Sequence, residues 1–354
     1  MPEPILIIAS SGRMLAQAAR KINLVPIVID LFADQDTQDI AEKVVCIDAL
    51  SLVKVQKVVL DLMTKYDIKL VLYGSGLEAN IDVLFWLEGL FLLHGNSAQV
   101  HQRYCNTQAF FKHLEQLNIP CPAISFDRPI NAQEYLIKSA QNSGGVALRY
   151  CDGNLQEGEY YQQFQKGRAA SVIFLAEKQS ITIIGFHRQW TVSEVDFSFA
   201  GIIKQMNVPV RISKAVRSWL EKLITVYALK GLGSLDFIWD GEQCYFLELN
   251  LRPPASMLLY PELNLLAAHM MQESLSKPAK LTVRALQTVY AKTDCEIKNS
   301  VNWPEWAADR PQKSVRIKEN QPICSIMADG KTVGQVEERL QNRKSFIQNH
   351  VLNR

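Results

Sequence analysis

Along its first hundred residues the chain alternates short apolar runs with amphipathic stretches. Ile5-Leu6-Ile7-Ile8-Ala9 is apolar throughout, as in a parallel strand covered on both faces, and Ser10-Ser11-Gly12 separates it from an amphipathic helix over residues 14–21. Further strands are predicted at 25–30, 44–47 and 70–73, with a helix over 50–66 between the last two. Strand and helix in alternation predict a parallel layer with right-handed crossovers. Ser10-Ser11-Gly12 reads as a plain turn, because the G-x-G-x-x-G fingerprint of dinucleotide sites is absent. Asp30 and residues 34–37 fall at strand C-terminal ends, where open α/β sheets collect ligands.

The pattern then changes. Asn96-Ser97 predicts the cap of a helix through Cys105, and 108–117 a second helix with Phe110, Phe111, Leu114 and Leu117 on one core-facing side. Asn118-Ile119-Pro120-Cys121-Pro122 ends it and marks a boundary. Residues 135–138 and 146–149 read as strands around a loop containing Ser143-Gly144-Gly145, and 169–176 pairs with 181–186, His187 to Trp190 lying just past them. Ser213 is placed as the cap of an amphipathic helix to about Leu229, with Trp219, Leu223 and Val226 in the core. A helix at 263–273, short strands at 281–291, 314–317, 322–327 and 332–334, and a charged helix at 336–352 complete the chain.

The stretch richest in chemistry is 231–256. Leu235 to Trp239 favours a strand, Asp240-Gly241 a turn, and Tyr245 to Asn250 alternates apolar with polar, which together predict a hairpin. The period of two turns Glu248 and Asn250 to one face, with Asp236 on the facing strand. A carboxylate set among apolar strand residues is costly unless paired or bound to a cation. Two carboxylates and an amide oxygen, leaving other positions to water and phosphate, suit Mg²⁺ on a nucleotide. Arg252, ahead of Pro253-Pro254, would reach phosphate or carboxylate as a rigid fork.

Composition narrows the classes. The 354 residues are 48% hydrophobic and 21% charged with a net charge of +2, which suits a globular chain of two or three domains and gives no electrostatic case for a nucleic-acid or membrane partner. The seven cysteines are odd in number and contain no C-x-x-C pair, so a reducing cytoplasm is expected. The N-terminus lacks the basic and apolar regions of a signal peptide, and Asp82 and Glu88 break the longest apolar run.

The segment LDFIWDGEQCYFLELNLRPPAS resembles the metal-binding signature of the ATP-grasp superfamily, in particular its carboligase-like branch related to biotin carboxylase. Asp236, Glu248 and Asn250 fall where that pattern holds the Mg²⁺ (or Mn²⁺) of ATP, and Arg252 where it contacts phosphate or substrate; many relatives have Glu at the first position. The resemblance implies an ATP-grasp fold, mixing α/β and α+β. It consists of an N-terminal Rossmann-like domain (1–100), a small subdomain with a glycine-rich flap (101–165), a large subdomain with the metal site (166–280) and a β-rich C-terminal lobe (281–354). Lys138, Ser143, Gly144 and Gly145 would cover the phosphates, Gln162, Gln163 and Phe164 would read the adenine, and Arg188 would steady an acyl phosphate or acidic substrate; Gly74 to Glu78 would border the acceptor. Gln141 and Asn142 replace usual glycines, a His expected near Leu148 is missing, and Cys105 stands where many relatives have a second nucleotide lysine.

The implied activity is amide formation between a carboxylic acid and an amine through an acyl phosphate, at the cost of ATP. The substrates are small molecules, a homodimer is admissible, and the branch includes tyramine-glutamate ligation and the making of methanofuran and tetrahydromethanopterin. Two other readings are open: carboxylation with bicarbonate, and a non-catalytic nucleotide sensor.

Overall fold

The computed structural model describes residues 2–139, 148–151, 153–177, 180–205, 207–271, 275, 282–298 and 301–353. Ser143, Gly144 and Gly145, with Gln141 and Asn142, lie outside the described residues.

The first part is the expected α/β layer: β1 (Pro4–Ile8), α1 (Arg13–Lys21), β2 (Val25–Asp30), α2 (Gln35–Ile40), β3 (Lys43–Cys46), α3 (Leu52–Met63), β4 (Leu70–Tyr73), α4 (Ile81–Glu88) and β5 (Leu92–His94). Its strands are all parallel, in the order β3-β2-β1-β4-β5. The apolar runs are continuous because both faces are covered: Ile5, Ile7 and Leu72 enter one core, Leu6, Ile8 and Val71 the other. Helix α2 was not legible in the sequence, since QDTQDI carries no apolar stripe; only Thr37 is buried there.

Helices α5 (Ala98–Cys105) and α6 (Thr107–Gln116) follow, the first capped by Ser97 as expected, its Oγ accepting from the Val100 amide. The small sheet comprises β6 (Ile124–Ser125), β7 (Tyr135–Ser139), β8 (Arg149–Tyr150) and β9 (Glu159–Gln163) in the order β6-β9-β7-β8. Then come β10 (Arg168–Glu177), β11 (Ser180–Thr191), β12 (Phe199–Gln205), α7 (Val210–Tyr227), β13 (Gly231–Trp239), β14 (Cys244–Asn250) and α8 (Leu265–His269). The chain closes with β15 (Val283–Tyr290), β16 (Cys295–Ile297), β17 (Ala307–Ala308), β18 (Arg316–Ile317), β19 (Pro322–Gly330), α9 (Val333–His350) and β20 (Leu352–Asn353).

Several expectations are corrected. His187 to Trp190 continue β11, where β12, an unpredicted strand, pairs with them. Helix α7 begins three residues before Ser213, whose hydroxyl turns back to the Val210 carbonyl. Thr332 caps α9 and Val333 and Gly334 are helical, so no strand forms there. The helix predicted at 263–273 is only the short α8.

One eight-stranded sheet, β14-β13-β10-β11-β12-β15-β19-β17, unites the hairpin with the C-terminal strands β15, β17 and β19. Alternation along β10 splits its side chains: Val172 and Phe174 pack toward α6 and α7, while Ile173 and Leu175 face the core shared with β1, α1 and α8. The second face matters for function. It joins the parallel layer to the large sheet, and open space is left where polar residues interrupt that core.

Candidate active site

Strands β13 and β14 form the predicted hairpin, with Ser234 opposite Asn250 and Asp236 opposite Glu248 before the register slips at Phe237. Its turn is built by Asp240, whose Oδ1 accepts the amides of Glu242 and Gln243 at 2.8 Å, and by Gly241 at φ +111°. On the other side Asp236 stands opposite Ser171 of β10, and Ser171 opposite His187 of β11. Neighbouring strands thus carry Glu248, Asp236, Ser171 and His187 in one lateral row.

The charges interlock. Lys138 at the end of β7 lies 3.3 Å from Glu248 Oε2, and Arg252 pairs with Glu78 and donates to Asn250 Oδ1 at 3.2 Å. Gln189 donates to Asp236 Oδ1 at 3.3 Å. Burial first, and Glu248 second, push the Asp236 carboxyl up to about 7; Gln189, Lys138 and Arg252 only partly offset this. Burial opposes the charge on Lys138, but Tyr160 and Glu248 outweigh it and hold the ammonium protonated. Glu78 is likewise largely desolvated, yet Arg252 and the Gly76 amide at 2.7 Å keep its carboxyl below the ordinary value.

This wall separates two clefts. Glu248, Lys138 and Glu78 face one of about 600 Å³ of open volume, with Tyr104, Phe111 and Tyr160 on its sides. Asp236 and Arg252 face another of about 1200 Å³, bounded by Ser11 and Gly74 of the parallel layer and by Asp309 and Ser325 of the C-terminal strands. Asn250 lines both.

Residues 106–256, which carry Lys138 and the whole hairpin, match the ATP-grasp domain family. Residues 106–256 are an ATP-grasp domain. The fold agrees along its length. The N5-carboxyaminoimidazole ribonucleotide synthetase of Thermus thermophilus superposes at a TM-score of 0.71 with 14% identity, over 96% of this chain and 98% of that one. The biotin carboxylase domain of the Hydrogenobacter thermophilus 2-oxoglutarate carboxylase gives 0.74 at 12% identity, over 98% and 90%. Phosphoribosylglycinamide synthetase of Anaerococcus prevotii gives 0.68 at 15%, over 100% and 99%. No curated protein matches the chain by sequence.

Within this ATP-grasp framework the structure gathers Asp236, Glu248, Asn250, Arg252 and Lys138 at one wall. Arg188 is elsewhere: one residue out of phase with His187 and Gln189, it points from the opposite sheet face and pairs with Glu337 of α9. Gln162 is buried in β9 with its Nε2 unpartnered, Gln163 is exposed, and Phe164 packs on Tyr150 and Phe197. Tyr160, on the same strand face as Gln162, is the β9 residue that reaches the smaller cleft. Arg103 does not replace the missing lysine, because it donates to the Val226 carbonyl and lies over the Tyr227 ring. Cys105 lines the cleft as a thiol, pushed up to about 11 by burial and then by Glu78.

His187 is wholly buried, bonded to Ser171 Oγ at 3.2 Å and Tyr260 Oη at 3.0 Å, and desolvation holds it down to about 3, so it is a neutral ring within the sheet. Sequence reasoning missed Arg13, Ser171, Gln189 and Asp309. Each is a common polar residue whose position depends on a strand neighbour or a contact far along the chain, and no local pattern marks it.

The donors suit a divalent cation. Asp236 and Glu248 are adjacent carboxylates under mutual repulsion, Asn250 adds an amide oxygen, and all three are hard ligands of the kind Mg²⁺ takes. Among the described residues no three His, Cys, Asp or Glu side chains converge, so water and phosphate would have to complete the shell. No described helix is long and apolar enough to cross a membrane.

Proposed function

We propose that the chain is an ATP- and Mg²⁺-dependent ligase joining a carboxylic acid to an amine. The observation that carries this reading is the wall of Asp236, Glu248 and Asn250 between two clefts, with Lys138 on one side and Arg252 beside it. ATP belongs in the smaller cleft and the other substrates in the larger. Mg²⁺, or Mn²⁺, would be held by the three wall residues and would supply charge neutralisation at the phosphates.

The chain's own groups do the rest. Lys138 exchanges Glu248 for a phosphate oxygen as the nucleotide enters, and Arg252, fixed by Glu78, holds the acid's carboxylate at the wall. A carboxylate oxygen forms a bond to the γ-phosphorus as the bond to ADP breaks, giving an acyl phosphate. The amine nitrogen then attacks the acyl carbon, phosphate leaves with the C–O electron pair, and the proton lost from the nitrogen passes to the departing phosphate. The flap residues Ser143, Gly144 and Gly145 are assigned to shielding the acyl phosphate from water, and Gln162 to Phe164 to the adenine, where the unpartnered Gln162 amide supports the reading. Glutamate and tyramine, and the acids and amines of methanofuran and tetrahydromethanopterin synthesis, are the first substrates to screen. Mg²⁺-dependent ADP release requiring both an acid and an amine, with the amide seen by mass spectrometry, tests the proposal.

The likeness to a carboxylase domain and to N5-carboxyaminoimidazole ribonucleotide synthetases favours a second reading, carboxylation with bicarbonate. ADP release that needs bicarbonate and no acid would select it. Nucleotide binding with no turnover in any mixture would instead select the sensor, to which Cys105 in the lysine's place points.

A further inference from the structure

The larger cleft carries a charge balance that limits what it can hold. Among the described residues two guanidiniums reach it, and each has a carboxylate partner. Arg13 Nε donates to Asp309 at 2.6 Å and lies 3.8 Å from Asp36, while Arg252 pairs with Glu78. The N-terminus of α1, which an open α/β sheet could otherwise offer to an anion, is filled from within the fold: the Gly12 amide donates to the buried Asp30 Oδ2 at 3.0 Å. Against these arginines stand, among the described residues, Asp309 in the lining and Asp36 and Glu78 behind it, Asp36 being shared with Arg310 at 3.7 Å; Asp236, also in the lining, is given over to the cation.

Asp309 is held firmly. It sits in the left-handed region at φ +53°, which Asp tolerates, and Asp36 fixes it there by accepting the amides of Asp309 and Arg310, each at 2.9 Å. The Asp309 carboxylate is kept below the ordinary value, despite desolvation, by Arg13 and by hydrogen bonds from Ser325 and Ser11, and 28% of the side chain stays exposed, so it presents a charge at neutral pH. Nearby, the Ser256 hydroxyl is buried without a partner, and Phe199 and Leu286 supply an apolar surface.

We propose that the amine taken by the larger cleft bears no phosphate, and that it presents a cationic or hydrogen-bond-donating end to Asp309 while its apolar body lies on Phe199 and Leu286. Among the described residues the two guanidiniums at this cleft serve Asp309 and, in the ligase reading, the acid's carboxylate, so a phosphate on the amine would be desolvated with no further cation to receive it, whereas a donor end meets a fixed, partly exposed carboxylate. This rests on the ligase reading and names the substrate class for it.

The test uses matched amines that differ only in phosphate: ethanolamine, glucosamine and pyridoxamine, each against its phosphate ester. Binding to the full chain is followed by ligand-observed NMR, and ADP release is followed separately with ATP, Mg²⁺ and a mixture of acids. The free amines should bind about tenfold or more tightly than their esters, and Asp309→Asn should remove about tenfold of that affinity while leaving the affinity for ATP unchanged. Thr288→Lys, a partly exposed change in the same lining, should narrow or reverse the preference and guards against misfolding of Asp309→Asn. Esters that bind as well as or better than the amines, no amine binding, or no response to either variant would overturn the proposal. Amine binding without ADP release in any mixture would instead overturn the ligase reading alone.

Discussion

Replacing Asp236 by Asn tests the electrostatics of the wall directly. In the folded chain this carboxyl is pushed up to about 7 by burial and Glu248, from an ordinary 3.8. A carboxyl that holds its proton more tightly when folded contributes stability that is fully present below 3.8 and is lost as the pH rises through 7. The full difference is worth roughly 4 kcal/mol, of which roughly 2–3 kcal/mol falls between pH 5 and pH 8. Urea denaturation of both proteins at those two pH values, without Mg²⁺ or nucleotide, reads it. The wild type should lose stability over the interval by about that much more than Asp236→Asn. Asp34, also pushed up to about 7 by its burial and acidic neighbours, titrates in both proteins and cancels in the comparison. Because a cation needs the ionised form, Mg²⁺-ATP affinity of the wild type should climb with pH through 7. Equal pH slopes in the two proteins would show that Asp236 is not a desolvated acid, and the argument for a cation at the wall would fail with it.

Glu248→Gln should lower turnover by about a hundredfold or more, since a charged ligand is lost at the reacting phosphates, while thermal melting stays near that of the wild type; undiminished turnover would rule out the site. Arg252→Met leaves Glu78 buried without its partner and should cost about 3–5 kcal/mol in urea unfolding, part of which Glu78→Gln on the same chain recovers. A loss under about 1 kcal/mol would mean that the pair does not tie the parallel layer to the hairpin. In Gly185→Ala the new Cβ would overlap Tyr260 Oη, displacing the ring that holds His187. That change should cost about 1–3 kcal/mol in thermal unfolding and cost less in a Tyr260→Phe background, whereas a cost that ignores Tyr260 would refute the packing account.

The sequence by itself determined the parallel layer, the helix capped by Ser97, the aromatic core stripe of α6, and the hairpin with its metal-type acids. Each is written in a local period, turn or cap, and each formed as the pattern required. Elements lacking such a signal went unread: polar α2, strand β12, and the membership of β15, β17 and β19 in the large sheet, which depends on pairing over long separations. At the site the same division holds. Asp236, Glu248 and Asn250 were legible because a hairpin fixes their alternation, but the face on which Arg188 lies was settled by the phase of β11 within a continuous sheet. Only the tertiary structure brought Glu78 to Arg252 and Asp309 to Arg13, partners 174 and 296 residues apart. Side-chain charge is a property of one residue; whether that charge is spent on a neighbour or left for a ligand is decided by which distant segments the folded chain brings within a few ångströms.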